Sequence, residues 1–204
     1  SGINIKSRLS LLESKYPQYF QQLATHIGTS GAGFNLASST KLLGILGQLL
    51  GVNPYRLFCN NPAMFFNKRG VTRLQYQWHQ EATYIRDYET AIHIWFPIFS
   101  DVTENDGPML VKKGSHKQSY PFKTKQIDNG LTQLYISDEA LSALETVPCT
   151  VNLGDIVIFQ HNLVHCTGEN KTDEPRLNII VRYFDALAED NFEPVLVYSP
   201  RVKP

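Results

Sequence analysis

Two neighbouring stretches decide the fold: Gly154-Asp155-Ile156-Val157-Ile158-Phe159-Gln160-His161-Asn162-Leu163-Val164-His165, and Arg176-Leu177-Asn178-Ile179-Ile180-Val181-Arg182-Tyr183-Phe184. The first opens on a Gly-Asp turn signal, runs through β-branched and aromatic residues, and places a histidine just beyond. The second is a longer β-branched run that starts on an arginine. The pattern recurs upstream, with short segments of strand composition at 55–59, 63–67, 72–77, 90–99, 108–112, 132–136, 147–152, 155–160 and 177–184. Turn signals separate them, including Asn61-Pro62, Asp106-Gly107-Pro108 and Asn129-Gly130. Strands in succession without intervening helices predict a β-sandwich or barrel, not a βαβ fold.

The first fifty residues read differently. Leu9, Leu12, Tyr16, Phe20, Leu23 and Ile27 recur at steps of three and four, which predicts a helical face interrupted at Pro17. Residues 28–33 read as a Gly/Ser-rich connection. Ser38, Ser39 and Thr40 can cap a second helix carrying Leu42, Leu43, Leu46, Leu49 and Leu50, closed by Gly51 and Pro54. Residues 137–144 predict one further short helix. The expectation is a single domain over 1–204, with a helical part at 1–54 and a mainly β core at 55–190.

Composition narrows the function. The 204 residues include 19 Lys+Arg and 19 Asp+Glu, so the formal net charge is zero. That balance argues against a general nucleic-acid binder or a polybasic membrane-surface protein. A hydrophobic fraction of 42% is enough for a core. No run approaches the roughly 18 apolar residues of a membrane span, and the start has no basic-then-apolar leader. The chain opens Ser1-Gly2, which fits a trimmed or processed form. Cys59, Cys149 and Cys166 are widely spaced and form no CxxC, against a disulfide framework or zinc finger. The sequon Asn170-Lys171-Thr172 reads as incidental. A cytoplasmic setting is expected, and the sequence sets no oligomeric state.

Three signals carry chemistry. His79 and Glu81, two residues apart at a strand end, would face one side and could grip one metal ion. His165 could add a second imidazole. Two His and one carboxylate on one face of an octahedral ion form the arrangement of non-haem Fe(II) oxygenases. Arg176, eleven residues after His165, could hold a carboxylate from the start of an inward-facing strand. A surface ion pair with Asp173 or Glu174 is the plainer alternative. Arg182 is its rival on the same strand, on the same face but at the opposite end.

These blocks resemble the phytanoyl-CoA dioxygenase (PhyH-like) family of Fe(II)/2-oxoglutarate oxygenases. The matching stretches are Gln77–Glu81, then Trp95 through Lys117 with its Gly114-Ser115-His116-Lys117 turn, and Gly154 through Arg176, spanning roughly 55–185. The resemblance implies a double-stranded β-helix (a cupin-like jelly roll) with flanking N-terminal helices. It implies that His79, Glu81 and His165 ligate Fe(II) and that Arg176 binds the distal carboxylate of 2-oxoglutarate. Thr167 sits where a small hydroxyl residue assists that carboxylate, and Tyr76 where relatives pack the cosubstrate. Glu81 replaces the commoner Asp, and a carboxylate there argues against halogenation. The implied activity is O2-dependent hydroxylation of a small molecule, with release of succinate and CO2. A non-catalytic jelly-roll binder and a cupin-type metalloenzyme without 2-oxoglutarate are the alternatives. Trp78, Tyr84, Arg86, Trp95 and His116 flank the implied centre and are expected to shape a substrate pocket. His93 reads as a satisfied sheet histidine, His161 as an outer neighbour of the centre, and His26 as part of a helix face. Lys112, Lys113, Lys117, Lys123 and Lys125 read as a solvated loop.

Overall fold

The computed structural model describes residues 4–27, 30–60, 62–71, 75–85, 91–127 and 132–188. Four helices come first: α1 (Ile5–Lys15), α2 (Pro17–His26), α3 (Gly31–Ala37) and α4 (Thr40–Leu50). Ten strands follow: β1 (Leu57–Cys59), β2 (Ala63–Asn67), β3 (Ala91–Ile98), β4 (Met109–Lys112), β5 (Lys123–Gln126), β6 (Thr132–Tyr135), β7 (Thr146–Cys149), β8 (Val157–Gln160), β9 (His165–Thr167) and β10 (Arg176–Asp185). One short helix, α5 (Glu81–Tyr84), lies between β2 and β3. The strands pair antiparallel, and the architecture is that of an open jelly roll.

The larger sheet runs β1-β10-β3-β8, and β2 continues the edge that β1 begins on β10. Its register pairs Ile180 with Trp95 and Arg182 with His93. The smaller sheet runs β7-β4-β9. Beside β9, an isolated bridge pairs His79 with His165. The hairpin β5-β6 stands apart.

Side chains alternate along each strand, so the larger sheet has two different faces. Its outer face meets the helices. Leu42 and Leu46 of α4 and Ala37 of α3 pack on Ile92, Ile94, Ile179, Val181 and Tyr183. Leu9, Phe20 and Ala24 of α1 and α2 pack on Met64, Phe66 and Leu177. Its inner face meets the smaller sheet through Trp95, Phe159, Ile180 and Met109.

The predicted helices form, with Pro17 as the first residue of α2, where its missing N–H costs nothing. Gly51 ends α4 at φ 69°, a left-handed value that suits glycine. Several boundaries differ from expectation. The segment read as a 28–33 connection contributes to α3, because the Ser30 side chain accepts from Gly33 N–H and starts a helix on two glycines. Residues 54–56 are a 3₁₀ turn initiated by Asn53 and Pro54, so the strand expected at 55–59 shortens to β1. Residues 75–77 are not a strand, and 72–74 lie outside the described residues, as does the Asn129-Gly130 turn. The helix expected at 137–144 is a 3₁₀ turn over Asp138–Leu141. The fully exposed β5 and the three-residue β9 carry no apolar alternation that could announce them.

Candidate active site

The inner end of the larger sheet opens into a cavity of about 240 Å³. Its apolar walls include Phe65, Trp95, Met109 and Ile180, and its polar groups include His79, Glu81, His165, Arg176, Asn178 and Arg182. The two arginines and Asn178 lie at even spacing on β10, so one strand supplies three polar groups to one face.

His79, Glu81 and His165 are buried and converge. One candidate ligand atom from each lies within 4.8 Å of the others, a set able to hold a metal ion. Glu81 Oε1 is 3.8 Å from His79 Nε2 and 3.5 Å from His165 Nε2. The Nδ1 atom of His79 lies 2.6 Å from the Gln77 carbonyl, and that of His165 lies 3.0 Å from the Leu163 carbonyl. A carbonyl only accepts, so each Nδ1 carries a proton and each Nε2 is left to face the cluster. Strand alternation does not bring His79 and Glu81 together as expected. His79 bridges β9, while Glu81 is the first residue of α5, so the turn into a helix aligns them.

Gln80, between the two, points away and fastens the turn. Its amide donates to the Gln118 carbonyl at 2.9 Å and the Asn162 carbonyl at 2.6 Å, and its oxygen accepts from Tyr120 N–H at 3.0 Å. No sequence signal marks Gln80 for this task. Burial pushes the Glu81 carboxyl upward, but the contacts with His165 and His79 and the Arg182 charge outweigh it, holding the group well below the usual range. Burial, then the neighbouring His79, lowers His165.

At the far end of the cavity Arg176 is buried and is not in a surface ion pair. Asp173 instead pairs with Arg69 at 3.3 Å, on the surface. The Arg176 guanidinium lies 5.3 Å from the centre of the Trp95 ring and donates to Asn178 Oδ1. Among the described residues its Nε has no hydrogen-bond partner, and neither has Asn178 Nδ2 nor Asn67 Oδ1. Burial lowers Arg176 to about 9, which still leaves it charged near neutral pH. Asn178 was legible in principle, two residues along the strand from Arg176; Asn67 was not.

Tyr76 and Thr167 line the same cavity and are tied to each other. Tyr76 N–H donates to Thr167 Oγ1 at 3.2 Å, and Thr167 N–H to the Tyr76 carbonyl at 2.9 Å. Tyr84 sits edge-on to His79, with ring centres 5.5 Å apart, and Trp95 forms a wall. Two other expected pocket residues are elsewhere. Trp78 lies under the Lys112 ammonium, on a neighbouring groove. His116 is exposed in a 3₁₀ turn, because Ser115 of the same turn points inward and binds Val164 N–H. Arg86 lies outside the described residues. His93 is only half satisfied: its Nε2 lies 2.9 Å from His161 Nδ1, and its Nδ1 has no partner. Of the lysines, Lys113 pairs with Glu145.

A jelly roll with two imidazoles and a carboxylate converging beside a buried arginine defines the class of non-haem metal oxygenases. The chain belongs to the phytanoyl-CoA dioxygenase (PhyH) family, whose profile matches residues 15–178. Solved structures agree on the fold. The epimerase SnoN, in complex with Fe3+, alpha-ketoglutarate and nogalamycin RO, superposes with TM-score 0.61 at 21% identity, over 87% of this chain and 70% of that one. EvdO2 from Micromonospora carbonacea var. aurantiaca, complexed with 2-oxoglutarate, gives 0.59 at 17% identity, over 82% and 65%. The non-heme monooxygenase ThoJ gives 0.57 at 21% identity, over 75% and 55%. The chain thus spans between 55% and 70% of the length of these structures. No curated protein matches the chain by sequence. Among the described residues no helix is long and apolar enough to cross a membrane.

Proposed function

We propose that this chain is an Fe(II)- and 2-oxoglutarate-dependent dioxygenase that hydroxylates an unactivated C–H bond of a small molecule. The observation that carries the reading is the buried Arg176 guanidinium, whose Nε has no hydrogen-bond partner among the described residues, at the end of the cavity that holds His79, Glu81 and His165. A buried charge with no carboxylate in direct contact costs several kcal/mol (order of magnitude), a cost that a bound anion offsets. A dicarboxylate suits the cavity, with Arg176 at one end and a metal set at the other.

The residues present fit both groups. His79 and His165 would give Nε2 to Fe(II), with Nδ1 of each keeping its proton on a backbone carbonyl. Glu81 would give a carboxylate oxygen. Arg176 Nε and Asn178 Nδ2, both unpartnered donors, would hold the far carboxylate of 2-oxoglutarate, with Thr167 and Tyr76 beside it. Bound there, iron would supply O2-dependent oxidation coupled to conversion of 2-oxoglutarate to succinate and CO2. Phe65, Trp95, Met109 and Ile180 exclude water from the reacting groups, and Tyr84 walls the space beside His79.

Anaerobic titration of Fe(II) and then 2-oxoglutarate into the protein tests the reading. A weak visible charge-transfer band is expected, and it should vanish in Arg176→Met while iron is retained. Absence of the band in the wild-type protein refutes the proposal. Iron binding without 2-oxoglutarate binding would instead mark a metalloenzyme of another kind. Succinate release over a panel of acyl-CoA, amino-acid and sugar derivatives then identifies the substrate class.

A further inference from the structure

Arg182 was set against Arg176 in the sequence as a rival carboxylate anchor. The structure gives it a different partner. Its Nε donates to Glu81 Oε2 at 2.6 Å and its Nη2 to Glu81 Oε1 at 3.2 Å. The fork thus touches both Glu81 oxygens, Oε2 more closely than Oε1. Oε1 faces His79 Nε2 and His165 Nε2, at 3.8 and 3.5 Å, while Oε2 is turned toward the arginine.

We infer that Arg182 is a positioning residue for the metal-binding carboxylate, holding Oε2 of Glu81 so that an ion receives one oxygen from it and not two. The inference rests on the metal reading above. A carboxylate can chelate a cation through both oxygens, and doing so would take a coordination position that a three-ligand facial set leaves open. A bidentate cosubstrate and O2 need those positions. Arginine suits the task because its fork is planar and stays charged; an ammonium offers a single rotatable point charge.

The longer side chain at this position gains a reason. Replacing Glu81 by Asp would withdraw the carboxylate by one carbon–carbon bond, about 1.5 Å. An aspartate reaching the imidazole nitrogens would then stand too far from the Arg182 Nε to keep the short contact. Glu81 and Arg182 are thus matched in length across the cavity, one from the start of α5 and the other from β10.

The test uses Co(II)-loaded protein titrated with 2-oxoglutarate and followed by the cobalt d–d bands. Arg182→Lys keeps the charge and loses the fork. The cobalt spectrum before cosubstrate should change, and 2-oxoglutarate affinity should fall about tenfold or more. In the Glu81→Asp background the same substitution should change that affinity less than about twofold, since the contact is already gone. A purely electrostatic role predicts no loss in Arg182→Lys. A merely structural role predicts lower melting temperature and cobalt content, with the spectrum and cosubstrate affinity of loaded protein unchanged. Either result overturns the inference, and so does an equal loss in both backgrounds. Should Arg182→Lys fail to fold, Arg182→Gln, which keeps an amide donor but drops the charge, replaces it in the comparison of the two backgrounds, where an equal loss overturns the inference. Wild-type protein that binds neither cobalt nor 2-oxoglutarate sinks the metal reading together with the clamp.

Discussion

Acid should destabilise this protein through His93, by an amount that the structure sets. His93 is fully buried on the inner face of β3. Its hydrogen bonds fix the protons. His161 Nε2 lies 2.7 Å from the Ile85 carbonyl, so it carries a proton and leaves His161 Nδ1 as the acceptor. His93 Nε2, at 2.9 Å from that nitrogen, is the donor. His93 Nδ1 has no partner to take a second proton's hydrogen bond. Burial therefore lowers its pKa from 6.5 to about 3. A histidine depressed in the folded state binds protons more readily when unfolded. Its stabilising contribution is complete above the unfolded value and is lost progressively as the pH falls below it, down to the folded value. Each unit costs about 1.4 kcal/mol, so the loss near pH 5 is about 2 kcal/mol. That is a substantial part of the roughly 5–15 kcal/mol that holds a domain together. Urea unfolding at about pH 7.5 and about pH 5, on wild type and on His93→Gln, measures it. Glutamine keeps an N–H donor for His161 and cannot titrate. The drop between the two pH values should be smaller in the variant by about 2 kcal/mol. Equal drops in both proteins would show that His93 does not carry the acid sensitivity.

Three further substitutions have expected outcomes. Gly107→Ala should unfold the chain or cost more than about 3 kcal/mol by denaturation: φ is +68°, and a Cβ there would sit 2.7 Å from the Gly168 carbonyl oxygen and 2.8 Å from Asn170 N. Tyr183→Phe removes the hydroxyl that donates to the Ala37 carbonyl at 3.0 Å, the tie between β10 and the end of α3; a loss of about 1–2 kcal/mol is expected in urea titration. Leu46→Ala, at a wholly buried position between α4 and the larger sheet, should cost roughly 2–5 kcal/mol while leaving metal binding by the folded protein intact.

What the sequence disclosed follows the physics of each element. β10 and β3 were legible because long β-branched runs bounded by turn residues have few other uses. β9 was not: His165, Cys166 and Thr167 are too few to show alternation, and their strand exists through pairing with β4. α3 hid behind two glycines whose helix depends on the Ser30 cap. The triad could be read from residue type and order. How it is assembled could not, since the alignment of His79 with Glu81 depends on Gln80 binding three distant backbone groups. The Arg182–Glu81 contact spans 101 residues of sequence, from β10 to the start of α5, and no local pattern announces it.

The alternation on β10 also explains how a face so polar can be stable. Arg176, Asn178 and Arg182 point to the cavity, where unpartnered or ionic groups oppose folding. Ile179, Val181 and Tyr183 point the other way, into a core closed by α3 and α4. Their burial supplies about 25 cal/mol for each Å² of apolar surface removed from water, a gain made on the side where no chemistry is needed. The N-terminal helices, which carry no motif, thereby hold in register the strand that builds the site. Substitutions on this strand should separate accordingly. Changes at 179, 181 and 183 should lower stability while the folded fraction keeps its affinity for metal and cosubstrate. Replacing Arg176 by an apolar residue should lower cosubstrate affinity at little cost to the fold, because it removes a buried charge that the bound anion would otherwise offset, whereas a change at 178 also takes the acceptor from that guanidinium. An Arg176→Met protein that is much less stable than wild type without ligands would contradict this division: the guanidinium would then be supporting the fold and not waiting for an anion.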